Sequence, residues 1–417
     1  MGARRVAITG AGVVSPLGAN LQDFHRALAE ARSGIRRLPS EIAQGSGVQV
    51  GALIDWSPAP MFKEAEAANI DRVSQFALGA AAEALASSRL DLAAENRSRI
   101  GVYWGTGMGG AHTLEASYRH VYGTGEWRTR PLTVVMAMNN AAGSNVAVRH
   151  GLAGPFANFS TACSSSAMAL GEAMRTIAAG RADAIVAGGS EALLTPATLL
   201  AWQALRTLAG ADPADPAASC KPFDRRRSGL VLGEGAAAFV LEDESHARSR
   251  GAHIHGFLVG YGNSCDAVHM SRPDRAGQAR AMREALDESR LAAADIGYIN
   301  AHGTATAVGD VIEAEAINAV FGEAAAEVRV SSTKSLHGHL LGGAGALEFA
   351  VALLALEEGL VAPTAFLEQP DPAIKLRHVP LRAERMAPPR AVMSNSFAFG
   401  GSNVVLIAER EKSPAGP

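Results

Sequence analysis

The chain is short of the residues that staple small secreted folds. Of 417 residues only three are cysteine, Cys163, Cys220 and Cys265, at wide and unpatterned spacings. That usage excludes a disulfide framework and a zinc knuckle, and it suits a reducing compartment. An excess of one charge sign is also missing. With 38 Lys and Arg against 41 Asp and Glu, the formal net charge is −3, which argues against general nucleic-acid or anionic-membrane binding. No apolar run reaches membrane-spanning length; even Phe349 to Leu356 stops at Glu357-Glu358. The start, Arg4-Arg5 followed by Val6–Val14, superficially mimics a signal peptide. Gly10, Gly12 and Ser15-Pro16 break it, so a strand and turn is expected instead. Val6 stands where a myristoylation signal needs Ser or Thr. The expected location is the cytoplasm.

What is plentiful is small and apolar. The chain has 44 glycines, 48% hydrophobic residues and only 5% aromatics, a composition suited to an α/β protein with many tight turns. Its length implies two domains or one internally duplicated unit. Periodicity and punctuation predict a strand at Val6–Val14, helices at Leu21–Ala31 and Ser74–Ala86, and a strand at Arg99–Trp104. The last of these runs into a loop from Gly105 to Gly110. A strand at Ala184–Ala187 and a strand pair at 230–235 and 237–241 follow. Gly10-Ala11-Gly12 invites a dinucleotide-loop reading, which is discounted because Ser15 replaces the third glycine and Pro16 follows.

Beyond Gly251 the pattern restarts. Strands are expected at His253–Val259, Ile296–Asn300 and Val328–Ser331, helices at Gln278–Ser289, Ile312–Phe321 and His339–Glu357, and closing strands at Val392–Ser394 and Val404–Ile407. The Ile296 strand and its loop resemble the Arg99 strand and its loop in order and role. Residues 1–250 and 251–417 thus read as two similar halves, mixed sheets covered by helices, with a frayed tail over Arg410–Pro417.

Four loops carry polar residues that packing alone does not need. The first is Thr161-Ala162-Cys163-Ser164-Ser165, between a short strand and an Ala- and Leu-rich buried helix. A lone Cys is most often a small buried hydrophobe. At a helix N-terminus, however, unpaired amides favour a thiolate and can cradle an oxyanion. The second loop places His302 directly after a strand, where ligand sites of α/β sheets collect. The third runs from Ser332 through Lys334, His337 and His339 to Glu348. A buried Lys334 ammonium needs a partner, for which Glu348 is the natural candidate, while His337 reads as exposed loop. The fourth is the glycine-rich turn Asn395–Asn403.

Together Thr161-Ala162-Cys163-Ser164-Ser165, Asn300-Ala301-His302-Gly303-Thr304, Lys334 with His339, and Asn395-Ser396-Phe397-Ala398-Phe399-Gly400-Gly401 resemble the 3-oxoacyl-[acyl-carrier-protein] synthases. The motifs fall in family order across nearly the whole chain. The resemblance implies a thiolase-like fold, two duplicated halves in a five-layer α-β-α-β-α sandwich, usually a homodimer. It implies acyl carrier protein as partner, and no metal or organic cofactor. A thiolate is both nucleophile and leaving group, as acyl transfer between thioesters requires. By resemblance Cys163 takes the acyl group, with the amides of Cys163 and Phe399 as oxyanion hole. His302 and His339, as neutral imidazoles, donate to the enolate left when malonyl loses CO2.

The same resemblance gives Lys334, with Glu348, the task of orienting His339. It assigns Thr304 and Thr306 to the pantetheine arm, Ser271 and Arg206 to substrate contact, and Met108 to the acyl-pocket floor. Phe399 matches the gate, and Asp310, Phe397, Gly400 and Gly401 its support. Three departures stand out: Ala398 where elongating synthases commonly have Gly, His337 where Thr is commoner, and few basic residues over Met61–Asn69. Arg128, Arg206 and Arg225 to Arg227 are candidates to compensate in carrier docking.

Other readings fit less well. A papain-like hydrolase would need another Cys context and has no use for a second His beside Lys334. A thiolase would want a second Cys near the C-terminus. A non-catalytic chain-length partner would lack the nucleophile. Within the condensing enzymes two readings remain, fatty-acid elongation and the catalytic subunit of a type II polyketide or polyene pathway paired with a chain-length factor.

Overall fold

The computed structural model describes residues 4–58 and 61–411. The tail expected over Arg410–Pro417 lies, from residue 412 onward, outside the described residues. Eleven strands form one hydrogen-bonded series. In chain order they are β1 (Val6–Val14), β2 (Ile100–Gly105), β3 (Phe156–Phe159), β4 (Ala184–Glu191), β5 (Gly235–Asp243) and β6 (Gly256–Cys265). Then follow β7 (Ile296–Asn300), β8 (Arg329–Ser331), β9 (Arg377–His378), β10 (Ala391–Phe397) and β11 (Ser402–Glu409).

Their order across the series is β9-β8-β7-β10-β11-β6-β1-β5-β4-β2-β3. Counted from β1, the first half reads third, second, fourth, fifth, first strand. Counted from β6, the second half reads the same, with β9 added at its edge. The senses repeat as well: the pairs β2–β3, β2–β4, β7–β8 and β7–β10 are parallel, and β1–β5, β4–β5, β6–β11 and β10–β11 are antiparallel. Among the described residues, the ladders of the two halves pair through Val6, Ala7 and Ile8 against Leu258, Phe257 and Gly256.

The helices complete five layers. Ser165–Ala178 and Ala344–Glu358 lie between the two half-sheets, Arg72–Ser88 and Ala141–His150 cover the outside of the first, and Arg275–Ser289 and Gly309–Phe321 cover the second. The largest apolar cluster fills both sides of the central pair, joining Leu170, Met174 and Phe349 to Phe239 and Tyr261. Two more clusters lie under the outer helices. The central Ala344–Glu358 helix is buried from Ala344 to Leu356, which is why it is apolar all round. Close packing explains Gly10 and Gly12: a Cβ at either would stand 2.2–2.3 Å from a carbonyl oxygen of the Arg72–Ser88 helix.

Three sequence expectations change, the first two for one reason. Residues 230–234 are not a ladder strand; Leu230, Leu232 and Gly233 make isolated bridges to Leu208, His339 and Ala52. The last long helix begins at Ala344 rather than His339, because His339 is held extended by that strap. Its N–H donates to the Val231 carbonyl at 2.7 Å, and its carbonyl accepts from Gly233 at 2.9 Å. A helical His339 would give up both bonds. Likewise the strand expected from His253 enters the ladder only at Gly256.

Candidate active site

The nucleophile turn follows β3. Ala162 to Ser164 form a 3₁₀ turn, and the Ser165–Ala178 helix begins directly behind Cys163. Ala162 has φ +52, a strained value for a residue with a Cβ, and the turn is fixed by the Ser165 hydroxyl donating to the Ala162 carbonyl at 2.7 Å. Ser164 Oγ also bonds Ser402 Oγ at 3.0 Å, tying the turn to the base of the glycine-rich loop.

Three distant segments converge on the sulfur. His339 places Nε2 3.0 Å from Cys163 Sγ. The His302 and His339 rings are 5.4 Å apart at 82°. One ligand atom from each of Cys163, His302 and His339 lies within 4.8 Å of the others, a spacing a tetrahedral zinc ion would also accept. The Phe399 N–H points at the thiol and stabilises its anion. The three groups line a cavity of ≈ 320 Å³ whose wall also includes Thr304, Thr306, Phe397 and Phe399, with Arg206 and Ser271 at its exposed mouth.

Lys334 is buried and makes an ion pair with Glu348, as its sequence context requires. Its other bonds correct one expectation. Lys334 Nζ donates to the His302 carbonyl at 2.6 Å and lies 3.4 Å from His302 Nδ1, so the imidazole it orients is His302 and not His339. An ammonium at Nδ1 leaves the ring proton on Nε2, the cavity side. Among the described residues His339 Nδ1 has no partner, so no hydrogen bond on that side of the ring fixes its tautomer.

Burial sets the proton positions. It pushes the Cys163 thiol up to about 12, with Lys334 and the Phe399 N–H pulling back. The thiolate expected at a helix N-terminus is therefore outweighed by desolvation. His302 and His339 are held well below the usual imidazole value by burial and then by the Lys334 charge, so both are neutral at pH 7. Burial raises Glu348 to about 7 against the pull of Lys334.

Several other sequence candidates are relocated. His337 is buried, not exposed loop: Nε2 lies 2.9 Å from Thr333 Oγ1 and Nδ1 donates to the Gly338 carbonyl at 2.7 Å. Met108 is 40% exposed and lines a separate groove with Tyr118, Tyr122 and Leu200, so it is not the floor of the cavity that holds the thiol. Asp310 supports the site indirectly, accepting the Phe223 N–H at 2.8 Å. Gly400 and Gly401 do need glycine, with φ +84 and +78. Ala398 has a negative φ, open to any residue, and its Cβ costs the loop no strain.

Three contributors were missed by sequence reasoning. Glu313 accepts the N–H groups of His302 and Gly303 at 2.8 and 2.7 Å and thereby sets the His302 loop. Glu191, fully buried, accepts from Gly107, Met108 and Gly342 at 2.7, 3.2 and 3.0 Å, and burial raises it to about 7. Trp202 stacks on Phe399 with ring centres 6.0 Å apart. Backbone partners leave no pattern in side chains. Only the burial of Glu313 three residues after Asp310, on one helix face, is a usable hint.

Such a fold, with a desolvated thiol facing two neutral imidazoles, defines a thiolase-like enzyme of acyl transfer. The family "Beta-ketoacyl synthase, N-terminal domain" matches residues 3–247 and "Beta-ketoacyl synthase, C-terminal domain" matches residues 255–368. The chain is 39% identical over 410 residues to "3-oxoacyl-[acyl-carrier-protein] synthase 2" of Coxiella burnetii, covering 98% of this chain and 99% of that protein. Among solved structures, "The ishigamide ketosynthase/chain length factor" superposes with TM-score 0.92 at 31% identity, over 98% of this chain and 100% of the other. A "type II PKS acyl-carrier protein in complex with its ketosynthase bound to the hexaketide" gives 0.91 at 30% identity, over 98% and 100%. The chain belongs to the beta-ketoacyl synthases, and it is a ketosynthase, an acyltransferase.

Proposed function

We propose that the chain extends an acyl group by two carbons through decarboxylating condensation with malonyl carried on acyl carrier protein. In the first half-reaction the Cys163 sulfur, held 3.0 Å from His339 Nε2, gives up its proton and attacks the acyl thioester. The oxyanion meets the N–H groups of Cys163 and Phe399. The carrier sulfur leaves, taking that proton, and the acyl group remains on Cys163.

In the second half-reaction the C–C bond to the malonyl carboxylate breaks and CO2 departs. The electron pair passes into an enolate whose oxygen accepts from Nε2 of His302 and of His339. Neutral imidazoles donate without quenching the carbanion, and the depressed proton affinity of both rings supports that role. The enolate carbon attacks the acyl carbonyl, the C–S bond to Cys163 breaks, and the sulfur regains a proton from solvent. Loss of CO2 drives the sequence, so the reading needs no metal and no organic cofactor.

The Cys163–His339 contact, with His302 in the same cavity, carries this reading. Its test is intact-protein mass after incubation with acyl- and malonyl-carrier proteins. The wild type gains one acyl mass; Cys163→Ala gains none, makes no condensed product and retains some malonyl decarboxylation. Condensation by Cys163→Ala would overturn the reading.

Fatty-acid elongation is the primary assignment, supported by the carrier-protein synthase relative. The alternative, a type II polyketide pathway with a chain-length-factor partner, is favoured by one observation: the ketosynthase/chain length factor superposes as closely as any relative named above. Among the described residues no helix is long and apolar enough to cross a membrane, and a cytoplasmic place is proposed. A dimer is proposed because Trp127, Val134 and Val148 are 83, 70 and 83% exposed, and β3 is an edge strand.

A further inference from the structure

Far from the thiol, a second set of metal-ligating side chains converges on the surface. His253 and His255 stand just before β6, and Glu357 is in the last turn of the Ala344–Glu358 helix. The two rings lie together, their centroids 4.6 Å apart at 90°, while Ile254 between them packs against the cluster of Ala7, Ala247 and Phe257. The His255 N–H bonds to the Ile8 carbonyl at 2.9 Å, which fixes the backbone beneath the rings.

One ligand atom from each of the three residues lies within 4.8 Å of the others. Glu357 Oε1 is 2.7 Å from His255 Nδ1 and 3.8 Å from His253 Nε2. A tetrahedral ion with bonds of about 2.0–2.1 Å separates its ligand atoms by about 3.3 Å, and the two distances bracket that value. His253 is 74% exposed at its side chain and free to close the difference. Among the described residues the ion pairs of Glu357 run to these imidazoles, leaving the carboxylate without a Lys or Arg. It also sits at the carbonyl end of a 15-residue helix, where a cation is favoured, and Glu358 follows it. From the neighbouring Leu21–Ala29 helix, His25 feels the charges of Glu358 and Glu357 and the His255 ring.

We infer that His253, His255 and Glu357 bind a divalent transition ion, with zinc as the matching ion and water in the fourth position. Two imidazoles and a carboxylate are a ligand set that zinc accepts. The ion clips the start of β6, one side of the seam between the half-sheets, to the end of the central helix. Glu348 lies nine residues earlier on that helix, about 13 Å away at its rise per residue.

The test must silence Cys163, whose cluster also offers ligands. An untagged full-length Cys163→Ala chain is titrated with zinc chloride by calorimetry, beside the same chain carrying His253→Gln or Glu357→Gln. The expected result is one zinc per chain with micromolar affinity, weakened about tenfold or more by either substitution. Cobalt(II) should give the visible bands of a tetrahedral ion in Cys163→Ala and lose them in His253→Gln. Circular dichroism checks each variant; should Glu357→Gln unfold, His253→Gln decides, since its ring is on the surface. Unchanged affinity in the folded variants, or no binding to the Cys163→Ala chain up to millimolar zinc, overturns the inference.

Discussion

Lys334 bonds the carbonyl of His302 at 2.6 Å and faces its Nδ1 at 3.4 Å, although 32 residues separate them. The same ammonium pairs with Glu348 in a fully buried setting. Fold and chemistry therefore share one cation, and they can be separated by substitution. Glu348→Leu alone strands a buried charge and should destabilise by about 3–5 kcal/mol. The double change Lys334→Met with Glu348→Leu should recover most of that stability in urea melts. Malonyl decarboxylation should nonetheless stay down by about 10²-fold or more, because His302 Nε2 is no longer fixed as a donor.

Glu191 gives a pH signature. Its folded value, about 7, lies above its ordinary value of 4.5, so the folded state holds the extra proton between those limits. Its contribution to stability is present below the ordinary value and is lost as pH rises through the folded one. Glu191→Gln, which cannot ionise, should gain on the wild type between about pH 5 and pH 8. Urea midpoints of both proteins at the two pH values measure it; a difference that stays constant contradicts the assignment.

Buried histidines act with the opposite sign. His337 is lowered to about 3, so it opposes folding at acid pH and its penalty fades as pH rises toward the ordinary imidazole value. His337→Thr keeps a hydroxyl near Thr333 and removes the titration. The variant should hold its melting temperature better than the wild type on acidification below about pH 6.

The exposed apolar surface predicts assembly. Val148, 83% exposed on the Ala141–His150 helix, does not line the thiol cavity. Val148→Asp should shift the protein from dimer to monomer in analytical ultracentrifugation, with the fold intact by circular dichroism. A wild-type chain that sediments as a monomer at working concentration would remove the basis for the dimer.

Ala398 tests the gate. Its φ is negative and its carbonyl accepts from Gly401 at 3.0 Å, so the Cβ sits without strain. Ala398→Gly should cost about 0.5–1 kcal/mol through the added freedom of the unfolded chain. Turnover should rise if loop opening limits it, as single-turnover against steady-state rates will report.

Much of the strand order was legible because most buried strands are apolar and bounded by glycine, whereas the helices Ala111–Thr124, Ala141–His150 and Pro196–Ala204 were not foreseen. Cys163, His302 and His339 were legible because polar residues interrupt those patterns at strand ends. What sequence could not tell was which imidazole Lys334 reaches. That follows from parallel pairing of β7 with β8, Asn300 beside Ser331, which lays the His302 loop against Lys334. Nor could it tell that the thiol is too dry to ionise at rest, since desolvation is a property of neighbours far along the chain. His337 read as surface for the same reason.

The repeated strand order has one more consequence. Where the first half turns from β3 into its central helix through Ala162, Cys163 and Ser164, the second turns from the loop after β8 through Leu341, Gly342 and Gly343. Both turns bend at a left-handed non-glycine, Ala162 and Leu341, so Gly342 is the positional twin of Cys163. A side chain at Gly342 has nowhere to go: its Cβ would sit 2.2 Å from the Gly107 nitrogen. The polypeptide thus owns two berths for a nucleophile and has sealed one of them with backbone. A symmetric architecture has in this way become a one-directional machine, its sulfur on one side and its proton donors on the other.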